Sequence, residues 1–398
     1  MKLSAMIGRI KPSATLAINA KANELKKSGV KVINFGVGEP DFDTPKNIGN
    51  AGVESIGKGR TRYTAVGGIN ELKDAICATV KADYGISYGR ENVLVSNGGK
   101  HALYNLFMTL LDPGDEVIVP SPYWVSYPDM VNLANANPVV VTCPEKDGFM
   151  LRPENLEKAI TPKTRLLILN SPSNPTGKYY GQKELEAIAQ VLLRHENVLV
   201  VSDDIYYRIL FGGRKWVSLG MVEERLRERI FIVNGVSKSY CMTGWRIGYL
   251  IGDKTVIKAA TDFQSQVTSN ASSISQWASV EALAGDQTAA VEMARVFEAR
   301  CARVMEIISG MEKVTCPPPD GAFYVFPNFS AYYGKKFGTR TIKGSLDLAD
   351  FFMEEAHVAV VPGEAFGEDN CIRFSYALSD EEIEQGFDAV KKALEKLR

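Results

Sequence analysis

Seven short runs built largely of valine, isoleucine and leucine constrain this chain more than any other feature. They are ENVLVSN from Glu91, EVIVP from Glu116, PVVVTC from Pro138, RLLILN from Arg165, NVLVVSDD from Asn197, RIFIVNGVS from Arg229 and WRIGYLIG from Trp245. None alternates apolar with polar residues, so none reads as a strand with one wet face. Unbroken apolar runs of this length fit strands buried on both sides in a mostly parallel sheet, and the helical stretch from Lys100 to Leu111 after the first run supplies a covering layer. That is an α/β domain. Ligands of such sheets sit beyond the carboxyl ends of the strands, which directs attention to Gly98, Gly99, Asn174, Asp203 and Lys238.

Beyond about residue 255 the pattern is helical through Gly310, with Trp277, Val280 and Leu283, then Met293, Val296 and Phe297, at helical spacings. AFYVF, VAVVPG and CIRFSYA then read as strands, and a last helix begins near Asp380. The expected organisation is a large domain over 46–285 and a smaller α+β domain over 286–398. The segment 1–45 is expected to be an arm and a helix, Ser13 to Ser28 and stopped by Gly29, that join the smaller domain.

Composition narrows the partners. Lys and Arg number 46 against 47 Asp and Glu, so no overall field recruits nucleic acid or acidic lipid, and a small molecule is the better expectation. The nearest cysteines, Cys301 and Cys316, are fifteen residues apart, with no pattern for a disulfide framework or a zinc site. No apolar run is long enough for a membrane helix, and Lys2, Arg9 and Lys11 interrupt any signal-peptide core. The basic first 23 residues allow a transit peptide but read better as an ordered arm, and the expected compartment is the cytoplasm.

Several motifs fall short. Gly52, Gly57 and Lys58 have phosphate-loop spacing, but Gly59 replaces the hydroxyl residue and no strand precedes them. Gly235 to Ser239 resembles a nucleophile elbow except at its last residue, which is serine. Asp203 and Asp204 are a conceivable metal pair, yet adjacent side chains at a strand end diverge, so one should face away. His195, between Arg194 and Glu196, reads as a solvated helix end. What remains is a lysine after a buried strand (Lys238), an arginine eight residues on (Arg246), an acid at another strand end (Asp203) and a glycine pair opening a helix. Pyridoxal phosphate asks for these groups: an amine for its aldehyde, an acid to keep its ring nitrogen protonated, and donors with a cation for its phosphate.

NGVSKSYCMTGWRIGY from Asn234 resembles the lysine signature of the class I, fold-type I aminotransferases. GVGEPDFDTP from Gly36, YTAVGG from Tyr63, SNGGKHAL from Ser96, SPYWVSYP from Ser121, SPSNPTG from Ser171, VVSDDIYYRI from Val201 and CIRFSYA from Cys371 resemble its companions, in order along nearly the whole chain. RIKPSATLAINAKA from Arg9 is most similar to the bacterial aspartate and aspartate/prephenate branch.

The resemblance implies the fold-type I architecture and a role for each matched position. Lys238 holds pyridoxal phosphate and moves the substrate proton, Asp203 pairs with the pyridine nitrogen, Tyr206 and Asn174 bond the phenolic oxygen, and Trp124 stacks on the ring. Gly98, Gly99, Lys100, Ser237 and Arg246 form the phosphate cup, joined by Tyr63 of a second subunit, so a homodimer is implied. Arg373 takes the substrate α-carboxylate with help from Gly38, Trp124 and Asn174, while Lys11 and Lys100 are the candidates for a distal carboxylate; Lys11 reads equally as a solvated arm residue. The implied reaction moves the amino group of L-aspartate to 2-oxoglutarate, with aromatic amino acids, prephenate or alanine as the alternative. Two departures stand out: Ser202-Asp203-Asp204 where the family usually has Ser-Asp-Glu, and a long, basic segment from Phe329 to Leu346, expected to be a solvated loop or else a place where specificity shifts.

Overall fold

The computed structural model describes residues 3, 4, 6–10 and 14–398. Its strands are, in chain order, β1 (Ile33–Asn34), β2 (Val93–Ser96), β3 (Glu116–Ser121), β4 (Asn137–Thr142), β5 (Thr164–Asn170), β6 (Leu199–Asp203), β7 (Ile230–Gly235) and β8 (Gly248–Ile251). They continue with β9 (Tyr324–Val325), β10 (Lys336–Phe337), β11 (Arg340–Thr341), β12 (Val358–Ala359), β13 (Val361–Pro362) and β14 (Ile372–Ser375).

Each of the seven apolar runs supplies one strand of a single sheet ordered β2-β8-β7-β6-β5-β3-β4. All pairings are parallel except the two made by β8, which runs against both β2 and β7. The connection from Gly235 to Gly248 is a run of turns with no helix to cross the sheet, and β8 returns beside β7 in the opposite sense. Period two decides which face each apolar residue covers. Leu167 and Leu169 of β5 pack with Ile76, Leu185 and Ile188 on one side, whereas Leu166 and Ile168 pack with Leu103, Leu106 and Phe107 of the helix Gly99–Leu110 on the other. This makes an α/β sandwich of the fold-type I kind, with a mostly parallel sheet between helices.

A separate core holds the three-stranded antiparallel sheet β13-β14-β9 and the helices Thr288–Ser309, Ser345–Glu355 and Asp380–Leu394. Phe297, Phe323, Phe374 and Phe387 are buried in it. The N-terminal segment enters this second core. The helix Ala14–Lys27 buries Ala22 against Met353 and Ala359, Gly29 follows it at φ +89°, and β1 pairs in parallel with β12. On the other side of Gly285, the helix Ser273–Ala284 packs Ala278 and Ala282 into the first core.

The 329–346 segment differs from the expected solvated loop. It folds as a turn, Ser330–Tyr332, and a β10–β11 hairpin docked on the second core. Ile342 is fully buried, Lys336 and Arg398 exchange backbone hydrogen bonds, and Arg340 pairs with Glu354 at 2.8 Å. The apolar side chains within this polar stretch anchor it. Nor is Gly52–Lys58 a phosphate loop: it lies at the end of the helix Lys46–Gly57, where a Cβ on Gly52 would stand 2.7 Å from the Trp245 ring.

Leu167 and Ile168 sit on opposite faces of β5 and are both buried to 2% exposure or less. Either change to Ala should lower stability by about 2–5 kcal/mol, measured as the shift of the thermal unfolding midpoint. A shift no larger than that of a surface substitution would deny that face its place in the core.

Candidate active site

The polar residues where the apolar runs end converge on one cavity of about 440 Å³, open to solvent between the sheet and the second core. At the end of β2 the chain turns through Gly98 at φ +87° and starts the helix Gly99–Leu110. Glycine is required here twice over. The backbone is left-handed, and a Cβ on Gly98 would collide with the Arg246 guanidinium. A Cβ on Gly248 of the neighbouring β8 would in turn collide with the Gly99 backbone, so the turn rests directly on the strand. Beneath it, Gln264 receives hydrogen bonds from Ser96 and Asn105, both at 2.7 Å, and donates to the carbonyls of Val66 and Val95. The result is a rigid, unblocked helix N-terminus whose free N–H groups face the cavity, which suits an anion. Arg246, itself left-handed at φ +56°, bonds the carbonyls of Thr243 at 3.0 Å and Asn97 at 3.3 Å and keeps its charge unpaired among the described residues.

Lys238 follows β7 and the buried Ser237, and its Nζ donates to the carbonyl of Gly38 at 2.5 Å. Burial pushes this amine down to about 8, opposed by the Glu39 carboxylate and reinforced by Arg373 and Arg246. At the end of β6, Asp203 accepts a hydrogen bond from Tyr127 at 2.6 Å, and burial raises its carboxyl to about 6. Asp204 diverges from it as adjacent strand residues must, accepting from Ser202 at 2.7 Å and Tyr84 at 2.9 Å on the far face; its carboxyl is raised to about 7, again by burial.

Arg373 comes from β14 of the second core and is 2% exposed. It donates to Asn174 Oδ1 at 3.1 Å and to the Gly36 carbonyl at 2.7 Å, while its Nε is buried with no partner among the described residues. A buried N–H left open in this way calls for an acceptor. Asn174 is held in turn by its backbone N–H, which donates to Asn170 Oδ1 at 2.9 Å. Tyr206 meets Tyr324 hydroxyl to hydroxyl at 2.8 Å. Lys100 stands 4.9 Å over the Trp124 ring, its pKa lowered by burial and then by Arg246.

Lys238, Asp203, Tyr206, Asn174, Trp124, Gly99, Lys100, Ser237, Arg246, Gly38 and Arg373 therefore line one cavity. Gly98 supports it from behind. Tyr63 does not join them; it is 92% exposed on the surface of the single chain. Lys11 lies outside the described residues. Tyr127, Tyr324 and Glu39 were not singled out from the sequence. Tyr127 and Glu39 lie inside the matched motifs SPYWVSYP and GVGEPDFDTP, and Tyr324 lies in an apolar run where a tyrosine reads as core. His195 sits just past the helix Gln182–Leu192, half-buried against Glu157 at 2.7 Å.

A depressed amine has a direct consequence. In the cofactor-free protein, condensation of Lys238 with a small aldehyde, trapped by borohydride and located by peptide mass, should rise with pH through a midpoint near 8. A midpoint near the ordinary 10.5 would contradict the buried environment described for this amine.

Residues 30–390 match the family Aminotransferase class I and II. The chain is 50% identical over 392 residues to a probable aspartate/prephenate aminotransferase of Rickettsia bellii (strain RML369-C), covering 98% of each. It is 44% identical over 396 residues to an aspartate aminotransferase of Bacillus subtilis (strain 168), covering 100% of each. The aspartate aminotransferase of Rhizobium meliloti superposes with a TM-score of 0.97 at 42% identity, covering 100% of both chains. That of Thermus thermophilus with maleate superposes with 0.92 at 40%, covering 99% of this chain and 100% of that one. With its full length matched in sequence and in fold, the chain belongs to the class I and II aminotransferase family.

Proposed function

We propose that the protein is a pyridoxal-phosphate-dependent aminotransferase that transfers the amino group of L-aspartate to 2-oxoglutarate, giving oxaloacetate and L-glutamate. The observation that carries this is the meeting of an amine, a carboxylate and a guanidinium, Lys238, Asp203 and Arg373, on one cavity that also holds a free helix N-terminus beside Arg246.

The residues fit the cofactor. The Gly98–Gly99 turn, Ser237 and Arg246 suit its phosphate, Asp203 its ring nitrogen, Tyr206 and Asn174 its phenolic oxygen, Trp124 a ring face, and Lys238 its aldehyde. When bound, pyridoxal phosphate supplies an electron-poor ring that delocalises the charge left as the substrate Cα proton departs. The chain's own residues do the rest. Arg373 and Asn174 fix the α-carboxylate, and with it the direction of the Cα–H bond. An amine at about 8 is partly free base at neutral pH, so Lys238 can accept the proton from Cα and give it back on the other side of the reaction. Asp203 stays anionic once a cationic partner faces it.

A dicarboxylate suits two of the cavity's cations, the buried Arg373 and the exposed Lys100. Prephenate also carries two carboxylates, and the Rickettsia relative bears that substrate in its name. A homodimer is the proposed assembly. Tyr63 is exposed, and Val53 and Ile56 of the helix Lys46–Gly57 leave 69% and 55% of their surface open, an apolar face that a second copy would cover. The proposed compartment is the cytoplasm; among the described residues no helix is long and apolar enough to cross a membrane.

Purified protein should turn over L-aspartate and 2-oxoglutarate, followed as oxaloacetate. Single turnovers against an amino-acid panel test the donor, and conversion with an aromatic amino acid but not with aspartate would overturn the assignment. Lys238→Ala should abolish turnover yet still bind cofactor through its phosphate. Arg373→Lys keeps the charge but loses the planar fork, so kcat/KM should fall at least about 10-fold, or ~1.4 kcal/mol. Unchanged kinetics would remove Arg373 from the substrate site.

A further inference from the structure

Tyr324 stands where the two cores touch. It belongs to β9, opposite Ser375 of β14, so it shares a face with Arg373 two residues away. The Arg373 guanidinium lies 4.8 Å over its ring, its hydroxyl is 2.8 Å from that of Tyr206, and a Cβ on Gly38 would stand 3.0 Å from its oxygen. The side chain is fully buried. Two hydroxyls at that distance share one hydrogen, and whichever turns its own hydrogen elsewhere must accept from the other.

From this chain of contacts we infer that Tyr324 is a positioning residue that relays the state of Arg373 to Tyr206. The inference rests on the function proposed above, in which Tyr206 donates to the cofactor's phenolic oxygen. Tyr206 can do so only by taking its own hydrogen bond from Tyr324, and linked donors strengthen one another. The cation over the Tyr324 ring draws electron density from it and makes its hydroxyl a better donor. A carboxylate bound to Arg373 offsets that cation, weakens the Tyr324 donor and, through Tyr206, leaves negative charge on the phenolic oxygen less well held.

The test uses the holoenzyme and the pH titration of its visible absorbance band. Tyr324→Phe keeps the ring and its packing on Arg373 and removes one oxygen. Its band should titrate at higher pH than the parent's, by roughly 0.3 unit or more, because the phenolate is less well stabilised. Maleate, a dicarboxylate without an amine, should move the band less in this variant than in the parent. In a Tyr206→Phe background the same change should have no effect, since the relay is already broken. An unshifted band, or an equal shift in both backgrounds, overturns the relay while leaving the function intact. A parent protein that shows no visible band with pyridoxal phosphate overturns the cofactor assignment itself. Thermal melts identify any variant that has lost its fold, and Tyr206→Phe alone then reads the other half of the pair: its maleate-induced shift must also be smaller than the parent's, and a full shift overturns the relay.

Discussion

Three of the charged groups that line the cavity, Lys238, Arg373 and Asp203, direct the hydrogen bonds they make to neutral dipoles instead of to another charge. Lys238 donates to a backbone carbonyl, Arg373 to an amide oxygen and a carbonyl, and Asp203 accepts from a phenol. Had Lys238 and Asp203 formed a buried ion pair, each would have consumed the attraction it can offer a ligand, and the amine would have been held in its protonated form. Dipoles lower the cost of burying a charge without cancelling it. The rest of the structure serves this separation: the sheet places the amine and the acid at the ends of different strands, β7 and β6, and the guanidinium arrives from another core altogether.

The sheet was legible because strands buried on both faces must be apolar at every position, a pattern strong enough to read in one sequence. Asp203, Asn174 and Lys238 were legible for the complementary reason, since a polar residue that ends such a run stands at the sheet's edge. Arg373 was different. Nothing in CIRFSYA says that β14 will face strands more than a hundred residues earlier, and only the resemblance to known motifs pointed there. Tyr324 and Tyr127 escaped notice because a buried tyrosine looks like core until its hydroxyl partner is known. The 329–346 segment misled in the opposite direction, its lysines and glycines masking Ile342 and the pairing with the C-terminal residue.

The second core does more than close the cavity. Its β9 and β14 bring Tyr324 and Arg373, and its loop at Phe366 and Gly367 bonds the segment after β3 through Tyr123 and Ser121, next to Trp124. The wall that would flank a ring and the wall that would grip a carboxylate are thus tied by one backbone hydrogen bond, Tyr123 N–H to the Phe366 carbonyl, and one from the Ser121 hydroxyl to the Gly367 carbonyl. A displacement of one core relative to the other would be felt at both.

The adjacent acids Asp203 and Asp204 couple the chemistry of the site to the integrity of the fold. A carboxyl whose value rises from 3.8 to about 6 on folding is neutral in both folded and unfolded chains at low pH, so it costs nothing there. As pH climbs from about 4 to about 6, only the unfolded chain ionises freely, and stability drains away, by roughly 3 kcal/mol once Asp203 is charged. Asp204 adds a loss of the same sign with its upper limit near 7. Near neutrality the empty protein therefore carries an electrostatic debt at the floor of its cavity, and a cation seated against Asp203 would tighten the whole sandwich in the act of binding.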